Sequence, residues 1–252
     1  MNLDFFSWPE IRDLLVRSLP QRQALQGLYA RLTATRCRRR AYCCALLPEA
    51  SLVEVLAALA AIQEFPSERR LDLLKKAIRY FLVNPLEITS CPFLEGADCL
   101  IYADRFFGCR AYGLWSPEEH ERRSGANRQA KRGLGEQWLR LGVRLPAAVL
   151  DFQVPYCREV EPDVGPGEDR ELIAAEEAIE KIADQLGPEA NRFRNLYYSD
   201  LSFLLASLLF GVPEALRLKF TLVLEGRRTG SRNGLEEALR SLDLSKFHWP
   251  DP

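Results

Sequence analysis

The chain predicts a mostly α-helical protein, with helices around an irregular cysteine-rich metal-binding segment and a helical extension at the C-terminal end. Two observations carry this. Helix-start signatures recur: Ser7 and Glu10, Ser51 and Glu54, and Ser116 and Glu119 are each spaced as a capping box. Apolar residues also repeat at helical spacing, as in Leu71, Leu74, Ile78 and Phe81, and in Leu172, Ala175, Ile179, Ile182 and Leu186.

Taken in order, these signals place helices over 8–18, 22–34, 51–64, 67–83, 117–141, 170–186 and 199–210. Pro117 stands at a first helical position, and Gly187-Pro188 ends the clean stripe before it. One segment is ambiguous: Leu216, Leu218, Phe220, Leu222 and Leu224 alternate as in a strand. Pro213-Glu214 ahead of them reads as a helix start and the surroundings are helical, so a helix is expected. Residues 84–115, with two prolines and three cysteines, show little periodicity. So long an irregular stretch needs an internal staple or a function. Residues 160–169 are acidic and rich in Pro and Gly and read as a linker. That divides the chain into a cysteine-cluster domain, 1–160, and a helical extension, 170–252.

The bulk numbers exclude several classes. At 252 residues, 47% apolar and 27% charged, the chain can bury a core without a metal to make it fold. A net charge of −1 gives no global pull toward nucleic acid or anionic membrane. The apolar runs at 52–62 and 201–212 are too short to span a bilayer. The start lacks the charge and apolar run of a secretory signal, so a soluble cytoplasmic protein is expected. Thiols stay reduced there, which points the cysteines toward metal or redox chemistry and away from a disulfide framework.

Six of the seven cysteines lie in two windows. The first holds Cys37, Cys43 and Cys44. The second holds Cys91, Cys99 and Cys109, and Cys157 stands alone after Val154-Pro155-Tyr156. Isolated cysteines are usually small buried apolar residues. Grouped thiols suit a metal, whose charge cancels their mutual repulsion. Seven exceed what one zinc needs, and the neighbouring side chains of Cys43 and Cys44 point in different directions. That favours an iron–sulfur cluster, or two metals sharing thiolates, over one isolated zinc. Arg31, Arg36, Arg38, Arg39 and Arg40 crowd the first window, either as a solvated basic helix end or as charge that favours thiolates.

These windows resemble the YkgJ-type cysteine-cluster family, whose members are described as zinc- or iron-chelating. Cys37, Cys43 and Cys44 match the first, third and fourth cysteines of its C-x-x-C-x-x-C-C motif. Arg40 stands at the second. Cys91-Pro92-Phe93-Leu94, Cys99-Leu100-Ile101-Tyr102, Arg105 and Cys109-Arg110 match the later motif, with Phe106 in place of its usual proline. The resemblance covers about 37–115. It implies a ligand set of Cys43, Cys44, Cys91, Cys99 and Cys109, with Cys37 and Cys157 as further members. With Arg40 at a cysteine position, Cys157 substitutes, fewer metals bind, or the fold survives without the site. A relative in flagellin lysine methylation carries a similar region, so the resemblance also admits a protein-modifying enzyme.

Other motifs are absent. The chain has no radical S-adenosylmethionine or ferredoxin spacing, no paired zinc-ribbon knuckles, no P-loop and no G-x-G-x-x-G. His120, among glutamates, reads as a solvated helix residue or a further ligand, and His248 as a tail residue. Tyr102 is expected to pack and Arg105 to satisfy loop carbonyls, the functional alternative being an arginine that donates to cluster sulfurs. Arg192-Phe193-Arg194 with Tyr197 and Tyr198 suits stacking on single-stranded nucleic acid, but an aromatic core face explains it as well. The expected function is therefore metal binding, as iron–sulfur or zinc, with redox use, zinc-stabilised interaction with a protein partner, and protein modification as the three classes.

Overall fold

The described residues of the computed structural model are 5–33, 35–162 and 168–242, with Arg36 and Cys37 described by backbone alone. The structure is 66% helix and 3% strand. Helices α1 (Trp8–Arg17) and α2 (Leu19–Tyr29) meet at Ser18, which ends one and begins the other. With Pro20 in its first turn, α2 starts and stops earlier than the 22–34 expected. Both arms of the Ser7–Glu10 and Ser51–Glu54 capping boxes are formed.

Helix α3 (Leu52–Gln63) is buried on every side from Leu52 to Leu59, so it has no polar face to give to water. It packs against α1 and α2 and against two C-terminal helices, α8 (Asp169–Asp184) and α9 (Pro188–Tyr197). Helix α4 (Ser67–Val83) packs on α10 (Leu201–Phe210), with Phe81 stacked on Phe203 at 5.3 Å between centroids. One continuous hydrophobic core runs from Phe6 to Leu235. The expected cysteine-cluster part and helical extension thus share a core. Tyr197, fully buried, accepts the Phe6 N–H at 2.8 Å and stacks on the Phe6 ring.

The alternating segment is helical, within α11 (Val212–Thr229). Its apolar residues serve two surfaces. Leu218 and Leu222 join the main core, while Phe220, Val223 and Leu224 join a second cluster with Val143, Leu145 and Trp138. Two apolar faces on one helix imitate strand alternation. Gly187-Pro188 ends one helix and also begins α9, Pro188 sitting at the new start. The last helix among the described residues, α12, spans Asn233–Arg240. No single helix among the described residues is long and apolar enough to cross a membrane.

Helix α6 (Pro117–Arg140) starts with half of its expected box. Ser116 accepts the Glu119 N–H at 3.1 Å, but Glu119 turns to Arg122 and Arg123. Asp169 replaces the missing arm, accepting the Ser116 N–H at 2.8 Å from the start of α8. The expected linker begins as strand β4 (Val160–Pro162), antiparallel to β1 (Thr35–Cys37), with Cys37 opposite Val160. Residues 163–167 and His248 lie outside the described residues.

Residues 84–115 hold a tight hairpin, β2 (Leu94–Glu95) and β3 (Asp98–Cys99), turned through Gly96 at φ +61°. A 3-10 turn (Tyr102–Asp104) and short helices α5 (Phe107–Arg110) and α7 (Ala147–Leu150) follow. The segment carries its own apolar staple: Phe93, Ile101, Phe106, Phe107 and Trp115 are all buried.

Candidate metal centre

Local backbone rules bring the two cysteine windows together. A left-handed residue, Ala41 at φ +56°, turns the chain out of β1 into the 3-10 turn Tyr42–Ala45 that carries Cys43 and Cys44. The Cys91 N–H then donates to the Cys44 carbonyl at 2.7 Å, locking the second window to the first. The hairpin places Cys99 opposite Leu94, three residues from Cys91, and α5 presents Cys109. Cys43 Sγ lies 3.8 Å from Cys44 Sγ.

The five thiols feel one another's charge. Contact with Cys44 lowers Cys43 to about 7, against the upward push of burial and helped by Arg105. The same contact raises Cys44, with burial and the nearby Cys43, Cys91 and Cys109 adding to it. Burial raises Cys91 to about 12, reinforced by Cys99 and Cys43. Burial also raises Cys99, and pushes Cys109 well up with help from Cys91, Cys43 and Cys99. The backbone amides of Phe93, near Cys91, and Ile101, near Cys99, oppose this, each favouring the thiolate.

Arg105 is the cation of the cluster. Its charge favours the thiolates of Cys43, Cys99 and Cys109, its guanidinium lies 4.3 Å from the Tyr102 ring centre, and its buried Nε has no partner among the described residues. The loop carbonyls expected to occupy it are held instead by Arg110, which donates to the carbonyls of Arg105, at 2.9 Å, and Ala103. Tyr102, expected to pack, is 50% exposed. Arg38, Arg39 and Arg40 are not a helix end, while Arg31 directly follows the cap of α2. Arg38 pairs with Glu161 at 3.1 Å, Arg39 with Asp98 at 2.5 Å and Arg40 with Glu159 at 2.8 Å. They tie β1 and the turn after it to β4 and the hairpin.

Cys157 is buried and shares a recess of about 20 Å³ with Cys43, Cys109, Arg105 and Arg40. That volume suits a water molecule or a single ion. The Cys37 backbone lies in β1 beside this strand pair, and its side chain lies outside the described residues. An open groove of about 770 Å³, lined by Trp115, Pro117, Tyr156 and Pro162, shares Cys157 and Val160 with the recess. Gly113 makes the close approach of this strand possible. Its φ is +82°, and a Cβ there would stand 2.6 Å from Val160 Cγ2. Gly113→Ala is therefore expected to cost about 1–3 kcal/mol and to make Cys157 accessible. Urea unfolding together with alkylation of Cys157 measures both.

Among the described residues, no three His, Cys, Asp or Glu side chains close on one point tightly enough to ligate a single ion. The five thiols form a neighbourhood within electrostatic range. His120 packs edge-on against Tyr156 at 5.2 Å. Phe193 and Tyr197 are core residues, and Arg194 pairs with Glu180, as an aromatic core face requires. Sequence reasoning treated Glu54 as a helix cap alone. It is also a buried acceptor beside α5, taking the Phe107 N–H at 2.6 Å, and no local spacing signals that contact. Neither a family model, nor a curated protein, nor a solved structure matches this chain.

Proposed function

We propose that this protein binds a metal centre, iron–sulfur or zinc, through Cys43, Cys44, Cys91, Cys99 and Cys109. Cys157, which lines the recess, and Cys37 are further ligands. The observation that carries the reading is the meeting of two distant windows: the Cys91 N–H donates to the Cys44 carbonyl at 2.7 Å, Cys43 Sγ stands 3.8 Å from Cys44 Sγ, and the Arg105 charge acts on Cys43, Cys99 and Cys109. A cation beside grouped sulfurs suits sulfur that carries charge. Burial and mutual repulsion hold most of these thiols protonated. A bound cation removes that penalty by displacing the protons, so metal uptake releases protons and strengthens as the pH rises. When bound, an iron–sulfur centre supplies one-electron chemistry, and zinc supplies structure. The chain's part is to hold the sulfurs and offset their charge through Arg105.

The YkgJ-type motif spacing supports the same ligand set, and a reducing cytoplasmic setting suits it. A second reading, a protein-modifying enzyme, is favoured by the groove that meets the recess at Cys157, since a catalytic centre needs a place for its substrate.

Anaerobic purification or reconstitution, followed by metal and acid-labile sulfide analysis, tests the proposal. A brown protein that bleaches on reduction is expected for a redox cluster, and a colourless one with stoichiometric zinc for an interaction module. Ser in place of Cys43, Cys91, Cys99 or Cys109 should at least halve the bound metal. Protein that takes up neither iron and sulfide nor zinc after anaerobic reconstitution would overturn it.

A further inference from the structure

We infer that Glu54 is the positioning residue of the cysteine centre, setting the place of Cys109 through the start of α5. The inference rests on the thiolate-centre reading for its purpose, though not for its geometry. Glu54 is a carboxylate only 5% exposed in an otherwise apolar helix. Capping α3 uses one oxygen, which accepts the Ser51 N–H and the Ser51 hydroxyl, both at 2.9 Å. The other oxygen does a separate job. It accepts the Phe107 N–H at 2.6 Å and the Tyr29 hydroxyl at 2.7 Å. Phe107 is the first residue of α5, and Cys109 lies two residues on.

A four-residue helix cannot hold its own position, because few of its backbone groups bond within it. Its place is set by what grips its ends. Glu54 grips the N-terminal end with a charge-assisted bond, about twice as strong as a neutral one. It reaches the other end through Tyr29, since the Arg110 guanidinium lies 4.0 Å from the centre of the Tyr29 ring. Arg110 in turn holds the carbonyl of Arg105, the arginine that faces the sulfurs. One buried carboxylate therefore sets both Cys109 and the loop that carries the cluster's cation. An isolated buried carboxylate costs several kcal/mol and would be replaced by leucine at little loss if it served packing alone.

The test compares Glu54→Ala and Glu54→Gln with Ser51→Ala, which removes the hydroxyl from the capping oxygen and leaves Phe107 and Tyr29 on the other. Glu54→Gln keeps the volume, and in either amide orientation Phe107 loses its charged acceptor, so it serves should Glu54→Ala fail to fold. In reduced, metal-free protein the alkylation rate of Cys109, measured peptide by peptide, should rise tenfold or more in the Glu54 variants. It should stay unchanged in Ser51→Ala, and Cys91 should be unaffected throughout. With cobalt(II) as the probe, Glu54→Ala and Cys109→Ser should lose the same share of sulfur-to-cobalt absorption, and the double variant no more than either. Cys109 reactivity and a cobalt spectrum matching those of Ser51→Ala would overturn the inference. If the unaltered protein binds no cobalt, the zinc form of the metal-centre reading fails instead, and the alkylation rates still decide the role of Glu54.

Discussion

Reduced, metal-free protein should lose stability steeply as the pH rises above about 9. The sign follows from the thiols. Cys44, Cys91, Cys99 and Cys109 are all raised above the ordinary thiol value of 9.0, chiefly by burial and, for Cys44, by contact with Cys43. Above 9 the unfolded chain sheds protons that the native fold retains. The unfolded state then binds fewer protons, and stability falls. For Cys91 the loss is on the order of 1 kcal/mol per pH unit and continues until its own pKa of about 12 is reached. Cys43 acts oppositely. Lowered to about 7, it contributes stability that is fully present above 9 and is lost as the pH falls through 7. Lys219, lowered by burial to about 8, and Lys131, also lowered by burial, gain stability with rising pH up to the ordinary lysine value. Tyr29, Tyr80 and Tyr197, raised by burial, join the four thiols above pH 10, and against the two lysines they leave a net fall between pH 9 and 10.5. Urea midpoints of chelator-treated protein across pH 7–10.5 measure it, and Cys91→Ser should flatten the slope. A midpoint that holds level past pH 10 would mean that the sulfurs are not shielded together. Bound metal should remove the thiol share of the fall, because ligated thiolates have no proton to lose.

Tyr197→Ala should be the most damaging single substitution in the core. The ring is fully buried, touches Phe5, Phe6, Phe193 and Phe203, and its hydroxyl satisfies the Phe6 N–H. Truncation opens a cavity where the N-terminal segment meets α9 and α10, and orphans an amide. A loss of about 3–5 kcal/mol is expected, with Tyr197→Phe costing about 1 kcal/mol through the hydrogen bond alone. Equilibrium urea unfolding separates the two. Both variants should unfold in a single transition. Separate melting of the N- and C-terminal parts in Tyr197→Ala would show that the shared core does not couple them.

The helices that sequence reveals are those whose signals are local. Ser7 with Glu10, Ser51 with Glu54, and the Leu172–Leu186 stripe report on themselves, and each stands where its residues direct. The start of α9 is masked because Gly187-Pro188 reads equally as an end and a beginning. The alternation in α11 misleads because one helix serves two clusters. The Ser116 box is completed from 53 residues away by Asp169, which no local window reveals. The candidate site divides in the same way. The cysteines announce themselves by grouping, and the structure brings Cys43, Cys44, Cys91, Cys99 and Cys109 within electrostatic reach of one another. What faces them does not show locally. Arg105 and Arg110 both lie in the motif, yet which one holds carbonyls and which faces sulfur depends on the stacking of Arg110 on Tyr29.

The uninterrupted packing from Phe6 to Leu235 has a consequence for the thiols. Small metal-dependent modules unravel when stripped, so their cargo is structurally indispensable. Here the architecture stands on buried hydrocarbon, with Cys91 inside it and Cys44, Cys99 and Cys109 packed against it. Under the proposed metal-centre reading, such a molecule could be emptied and refilled without being rebuilt.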